Sequence, residues 1–124
     1  TYGAMVHRAL EAAETLAAQG IDVEVVDLRS LQPWDKKTVL DSVARTHRVV
    51  IAHEAVMTFG IGAEIAATIA HEGFDELDAP VLRVGAPFMP SPFAPSLEEP
   101  FMPNAQDVIA AVHQLVQKGK TSYA

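Results

Sequence analysis

The residues of this 124-residue chain whose types and spacing bear on chemistry fall into a few short groups. Gly60-Ile61-Gly62-Ala63-Glu64 stands between an apolar run and a helical pattern, where backbone N–H groups and the positive end of a helix can hold a phosphate. The dinucleotide fingerprint asks for Gly or Ala at its sixth place, which here is Ile65, and the lysine of a phosphate loop is absent. Close helix packing, made possible by missing side chains, is the stronger of the two readings. His53-Glu54 and His71-Glu72 each begin like the zinc-protease helix, but the fourth residues beyond the histidines are Met57 and Asp75 rather than His. His53 and Glu54 close an apolar run, the end of a strand where open α/β sheets bind ligands. Adjacent strand residues point to opposite faces, so the pair cannot serve one substrate, and a structural hydrogen-bonding role is expected. His7, His47 and His113 fall on polar faces or a turn and receive no role. Ser30, Ser42, Ser91, Ser96 and Ser122 lack the G-x-S-x-G elbow, which leaves a hydrolase triad unsupported.

Composition narrows the classes further. The absence of cysteine excludes a disulfide scaffold, thiolate zinc sites and thiol catalysis. With 9 basic against 16 acidic side chains and a net charge of -7, the chain lacks a phosphate-neutralising surface, and nucleic acid is not expected as a partner. No run approaches the roughly 20 apolar residues that span a bilayer, so no membrane span is expected. The length suits one domain. Glu72, Asp75, Glu76 and Asp78 form an acidic run that reads either as a solvated face or as a docking patch for a basic partner. Residues 80–103 hold seven of the eight prolines together with Phe88, Met89, Phe93, Phe101 and Met102. Aromatics in such number must cover apolar surface of this domain or of another subunit, and the prolines lower the entropy lost on ordering.

The elements that would position these residues follow from periodicity. Val6, Ala9, Leu10, Ala13, Leu16 and Ala17 predict a helix over 4–19, stopped by Gly20. The β-branched stretch 21–28 predicts a strand that enters a turn at Gln32-Pro33. Asp35 caps a second helix with Val39, Leu40 and Val43 as its stripe, against the unfavourable first-turn Lys36 and Lys37. The apolar run Val49–Ala52 predicts the centre of a parallel sheet. Thr58 is expected to cap a third, mostly buried helix through about residue 72, packed through Ala63, Ala66, Ala67 and Ala70. A third strand at Val81–Val84 precedes an irregular stretch, and Asn104 with Asp107 opens a last helix that Gly119 ends. The alternation predicts a three-layer α/β/α sandwich with a mostly parallel sheet. A helix that starts at residue 4 implies a feeding strand ahead of it. With no initiator Met, the chain reads as a fragment of something larger.

Taken in order, TYGAMV (1–6), VEVVDLRSLQPWD (23–35), RVVIAHEA (48–55), GIGAEIAA (60–67), APVLRV (79–84), a following P-x-P and LEEPFMPN (97–104) resemble a known family. It is the C-terminal, transketolase-like domain of the β subunit of thiamine-diphosphate-dependent 2-oxo acid dehydrogenases. The resemblance spans essentially the whole chain, and the order and spacing of the pieces make it specific. It implies an E1 component, an α2β2 tetramer or fused equivalent, that decarboxylates pyruvate or a branched-chain 2-oxo acid and acylates a lipoyl group on E2. It also implies that thiamine diphosphate and Mg2+ sit between the α subunit and the β subunit's N-terminal domain, so this domain alone is expected to be non-catalytic and to bind neither.

By the same resemblance the domain's partners are the E1 α subunit, a second β subunit and the basic subunit-binding domain of E2. The expected subunit-interface residues are Gly60, Gly62, Phe88, Phe93 and Phe101, and those for E2 docking are Asp75, Glu76 and Asp78. The implied compartment is the cytoplasm, or the mitochondrial matrix in a eukaryote. Two departures stand out. Family members read G-x-D-T-P-x-P where this chain has Gly85-Ala86-Pro87-Phe88-Met89-Pro90-Ser91-Pro92, so the Asp is missing, and a Gly-Gly pair is common where Phe59-Gly60 stands. The competing readings are a free-standing flavodoxin-like or receiver-like binding domain, and the equivalent domain of a transketolase or deoxyxylulose-phosphate synthase.

Overall fold

Ile51 and Ala52 are neighbours on one strand, and their side chains enter two different cores. That alternation divides the domain into layers. In the computed structural model, which describes residues 1–118, the strand β1 (Val50–Val56) pairs in parallel with β2 (Leu82–Ala86). Val50 stands opposite Leu82 and Ala52 opposite Val84, and the register shifts before Val56 reaches Ala86. On one face lie α1 (Met5–Ala18) and α5 (Ala105–Lys118), whose Met5, Ala12, Leu16, Val108 and Ile109 meet Ala52 and Val84. On the other lie α2 (Lys36–Thr46) and α3 (Ile61–Glu72), whose Val39, Val43, Ile65 and Ile69 meet Ile51 and Leu28. The three-layer α/β/α architecture is therefore as the sequence predicts.

The helix ends follow local chemistry. Gly20 leaves α1 with φ +80°, a conformation that costs glycine nothing. Asp35 accepts the Thr38 amide at 3.1 Å and the Thr38 hydroxyl at 2.6 Å, which fixes the start of α2. Lys36 offsets its poor place in the first turn by pairing with Glu72 of α3 at 3.0 Å. Asn104 and Asp107 form a reciprocal cap at the start of α5: each side chain accepts the other's backbone N–H, at 3.2 and 2.9 Å. The expected stop at Gly119 lies outside the described residues, as does Ser122.

Several expectations are corrected. Segment 21–28 is extended but joins no ladder with β1, and a cavity separates the two, so β1 has a strand neighbour on one edge and is not the centre of the described sheet. β-Branched residues set an extended backbone, whereas a strand also needs a partner edge, which periodicity does not reveal. The buried stripe of α1 is Met5, Ala9, Ala12 and Leu16, about one residue off the expected phase, and Leu10 is half exposed. Gly60, not Thr58, caps α3. The helix buries only Gly62, Ile65 and Ile69, while Ile61, Ala67 and Ala70 are exposed, because nothing in the described chain covers its outer face. Within the proline-rich stretch a short helix α4 (Pro95–Phe101) forms, opened by Pro95 in the first-turn position that suits proline.

The Asp35 cap yields a pH prediction. The Thr38 hydroxyl and then its amide hold the Asp35 carboxyl below the usual carboxylate range. A depressed folded-state value contributes stability above the unfolded value of about 4, lost as pH falls through the lowered one. Asp35→Ala is expected to lower the melting temperature at neutral pH, and the gap from wild type should close on acidification. Melting curves at a series of pH values check this.

Candidate functional site

In the middle of β1, which runs on through His53 and Glu54 to Val56 rather than closing there as expected, the chain encloses an imidazole completely. His53 is 0% exposed, and its Nδ1 lies 2.9 Å from the Ala55 carbonyl oxygen. A carbonyl only accepts, so Nδ1 carries a proton and donates it, while Nε2 is buried without a partner. Three glycines make room for the ring. A Cβ on Gly62 would stand 2.5 Å from Nε2, one on Gly85 2.9 Å from the ring, and one on Gly60 3.3 Å from it and 2.2 Å from the Val56 carbonyl oxygen. The Tyr2 ring tilts over the same imidazole with centroids 6.1 Å apart. Glu54 points away into solvent, so the pair is split as strand geometry requires.

This geometry decides between the readings of the Gly60–Glu64 turn. A Cβ at Gly60 or Gly62 would run into the His53 ring, so the glycines serve the close approach of α3 to β1. Among the described residues no group of three or more His, Asp or Glu side chains is placed to hold a metal. Gly60 and Gly62 are engaged in this internal contact, with Gly62 buried and Gly60 half-buried.

The surface features lie elsewhere. Phe93 is fully exposed, and Phe88, Met89 and Leu97 are exposed beside it in sequence. Phe101 is half-buried in a depression with Met57, Arg83 and Asp107, where the Arg83 guanidinium donates to the Met57 carbonyl at 2.8 Å. Sequence reasoning missed Phe59, which is 94% exposed and held at φ +59°, a conformation unusual for a bulky residue. The non-glycine residue at the place of the Gly-Gly pair was the available signal. It also missed Phe74, exposed at the start of a 3-10 turn (Phe74–Glu76) in the middle of the acidic run. Asp75, Glu76 and Asp78 are all exposed around it, with the Glu76 carboxylate 3.9 Å from His47. His47 is tied to the same turn, since its Nδ1 lies 2.7 Å from the Glu76 carbonyl oxygen and its own carbonyl accepts the Asp78 N–H at 2.9 Å.

The packing account predicts a coupling. Gly62→Ala should destabilise the domain by about 1–3 kcal/mol, the usual cost of overpacking. In a His53→Ala background the same change should cost clearly less, because the atom it meets is gone. Denaturant unfolding of the four proteins of this cycle checks it, and equal costs in both backgrounds would detach the glycine from the histidine.

Comparison with known proteins agrees with the geometry. The transketolase C-terminal domain family matches residues 1–108. The chain is 47% identical over 97% of its length to the β subunit of acetoin:2,6-dichlorophenolindophenol oxidoreductase from Cupriavidus necator, covering 36% of that protein. It is 43% identical over 94% of its length to the chloroplastic pyruvate dehydrogenase E1 component subunit beta-2 of Arabidopsis thaliana, covering 29% of it. Among solved structures, a split-gene transketolase described as an inactive β4 tetramer superposes with a TM-score of 0.81 at 34% identity, over 95% of this chain and 38% of that one. The chain thus spans about a third of the length of the curated relatives it matches. With the layers, the parallel strand pair and the family match over residues 1–108 in agreement, the chain belongs to the transketolase C-terminal domain family.

Proposed function

We propose that this chain is the C-terminal assembly domain of the β subunit of a thiamine-diphosphate-dependent E1 enzyme. The observation that carries the proposal is the exposure of Phe59, Phe88 and Phe93. Several large apolar side chains left in solvent point to an interaction surface. The relatives named for pyruvate dehydrogenase and acetoin oxidoreductase β subunits supply the enzyme class. The substrate is then a 2-oxo acid such as pyruvate or a branched-chain acid, or acetoin. Thiamine diphosphate and Mg2+ belong to the intact enzyme, outside this domain. The compartment is the cytoplasm, or the mitochondrial matrix in a eukaryote.

Within that assembly Phe88, Phe93 and Phe101 cover a neighbouring E1 α subunit, a fused equivalent or a second β subunit. Gly60 and Gly62 act at one remove, by letting α3 sit close to β1 so that Phe59 and Ile61 stand outward. Asp75, Glu76 and Asp78 dock the basic subunit-binding domain of E2, with Phe74 as an apolar contact among the charges. A free-standing flavodoxin-like or receiver-like domain would need an open phosphate loop or acidic pocket at the strand ends, and here that turn packs against His53.

Two measurements test this. In the full-length β subunit, Phe93→Glu should weaken assembly with the α subunit, seen in sedimentation as dissociation at concentrations where wild type stays associated; intact assembly would remove Phe93 from the interface. Replacing Asp75, Glu76 and Asp78 by Asn, Gln and Asn should slow association with E2 at low salt and matter little at high salt, because exposed charges steer encounter and are screened beyond roughly 8 Å at physiological ionic strength. Stopped-flow association of the triple variant at wild-type rate and low ionic strength would make the patch a solvated face only.

A further inference from the structure

β1 and β2 run in the same direction, and beside their carboxyl ends lies the depression that holds Phe101, a hollow of about 320 Å³. The carboxyl ends of parallel strands are where open α/β sheets bind ligands. The hollow is lined by Met57, the residue after β1, and by Arg83 and Gly85 of β2. Phe101 and Met102 reach it from the end of α4, and Asp107 from the first turn of α5.

Two opposite charges line this hollow, and neither is neutralised among the described residues. The Arg83 guanidinium is half-buried, and one of its N–H groups donates to the Met57 carbonyl at 2.8 Å. That bond fixes the fork while leaving further N–H donors for a planar acceptor such as a carboxylate. None of the ion pairs among the described residues includes Arg83. The segment that leaves β2 brings it no acid, since residues 85–92 read GAPFMPSP. Asp107 is exposed and also belongs to no ion pair; its Oδ2 accepts the Asn104 backbone N–H at 2.9 Å. That cap needs an acceptor at this place and does not need a charge.

The walls select the ligand. An uncharged apolar molecule would take Arg83 further from water with nothing in exchange. A simple anion would satisfy Arg83 and face the Asp107 carboxylate, and a simple amine would meet the reverse. A molecule that carries both charges and an apolar group satisfies all the walls together. We propose that the hollow is a binding site for an α-amino acid with an apolar side chain, its carboxylate on Arg83, its ammonium toward Asp107 and its side chain against Met57, Phe101 and Met102. The volume stands at the lower end of the range for ligand pockets, roughly 300–1,000 Å³, and admits a molecule of that size. Two thioethers adapt to differently shaped side chains, so the site reads the class rather than one member of it. The inference does not rest on the proposed assembly role.

The test titrates this chain with L-leucine and with the two molecules that each lack one of its charges, 4-methylpentanoate and 3-methylbutylamine. NMR reads the Arg83 Nε–H and the backbone amides of Met57, Gly85 and Asp107. Leucine should shift these signals saturably and bind about tenfold or more tightly than either analogue. Arg83→Met should lower the affinity for leucine by about tenfold or more. Asp107→Asn, which keeps an acceptor for the Asn104 N–H, should weaken leucine and strengthen 4-methylpentanoate. A change of shape alone would not produce that reversal, and it decides the matter should the arginine variant fail to fold. No saturable shift with leucine overturns the proposal, as does an affinity of wild type for either analogue that equals or exceeds that for leucine. An Asp107→Asn variant in which leucine and 4-methylpentanoate change in the same direction overturns it as well.

Discussion

The imidazole of His53 is the constraint around which one end of the sheet is arranged. A ring of that size held at 0% exposure needs space from three directions, and the chain provides it by omitting side chains at Gly60, Gly62 and Gly85. Gly85 lies in β2 and the other two open α3, so a single ring sets both how closely the strands lie and where the helix begins. Once α3 is seated there, Ile65 and Ile69 fall onto Ile51 and complete the core with α2. The unpaired Nε2 carries a desolvation cost of about 1–3 kcal/mol. It lies beside the first turn of α3, against Gly62.

The two helical layers are unequally finished. The α1 and α5 layer closes on itself: Met5, Leu16 and Leu115 are almost wholly buried, and His113 reaches Gln19 at 2.7 Å to tie the helices at their rim. The α3 side leaves Ile61, Ala67 and Ala70 outward, with Phe59 at one end of the helix and Phe74 at the other. Burying a phenylalanine is worth about 1.5–3 kcal/mol, so several left in solvent forgo a sizeable part of what stabilises a small domain. A surface with that much unused burial is what an assembly domain presents before its neighbours arrive.

How much of this could be read in the residues depends on whether the cause was local. Caps were legible because donor and acceptor sit three residues apart: Asp35 with Thr38, and Asn104 with Asp107. β1 was legible from the apolar run Val49–Ala52 and β2 as a short strand near Val81–Val84, and the glycine turn was legible as close packing. Its partner was not, because His53 meets Gly62 and Gly85 only after the sheet has formed. The burial of α3 was overestimated for a related reason. Apolar periodicity identifies which face a helix would bury, whereas what covers it is a property of the whole arrangement, and here the described chain covers Gly62, Ile65 and Ile69 alone. Phe59 was noted only as a departure from a Gly-Gly pair; its left-handed backbone and its exposure follow from the turn into α3 and become visible only with the fold.

Charge settles what kind of neighbour the aromatic surface tolerates. Phe93 and Leu97 flank the start of α4, and Glu98 and Glu99 follow on the same short helix, all exposed. An isologous contact centred on α4 would bring the glutamates of two copies together, since a two-fold axis places each patch against itself. Like charges brought into a partly desolvated contact oppose it, and the net charge of -7 adds a long-range repulsion between copies. The apolar gain from Phe93 favours any partner with a complementary hollow, whereas the acids discriminate among partners. The acids therefore oppose a contact that sets α4 against itself and favour one with a hollow rimmed by basic groups, whichever subunit offers it. Aromatic area supplies affinity and an acidic rim supplies choice, and the two together make an exposed hydrophobic surface selective.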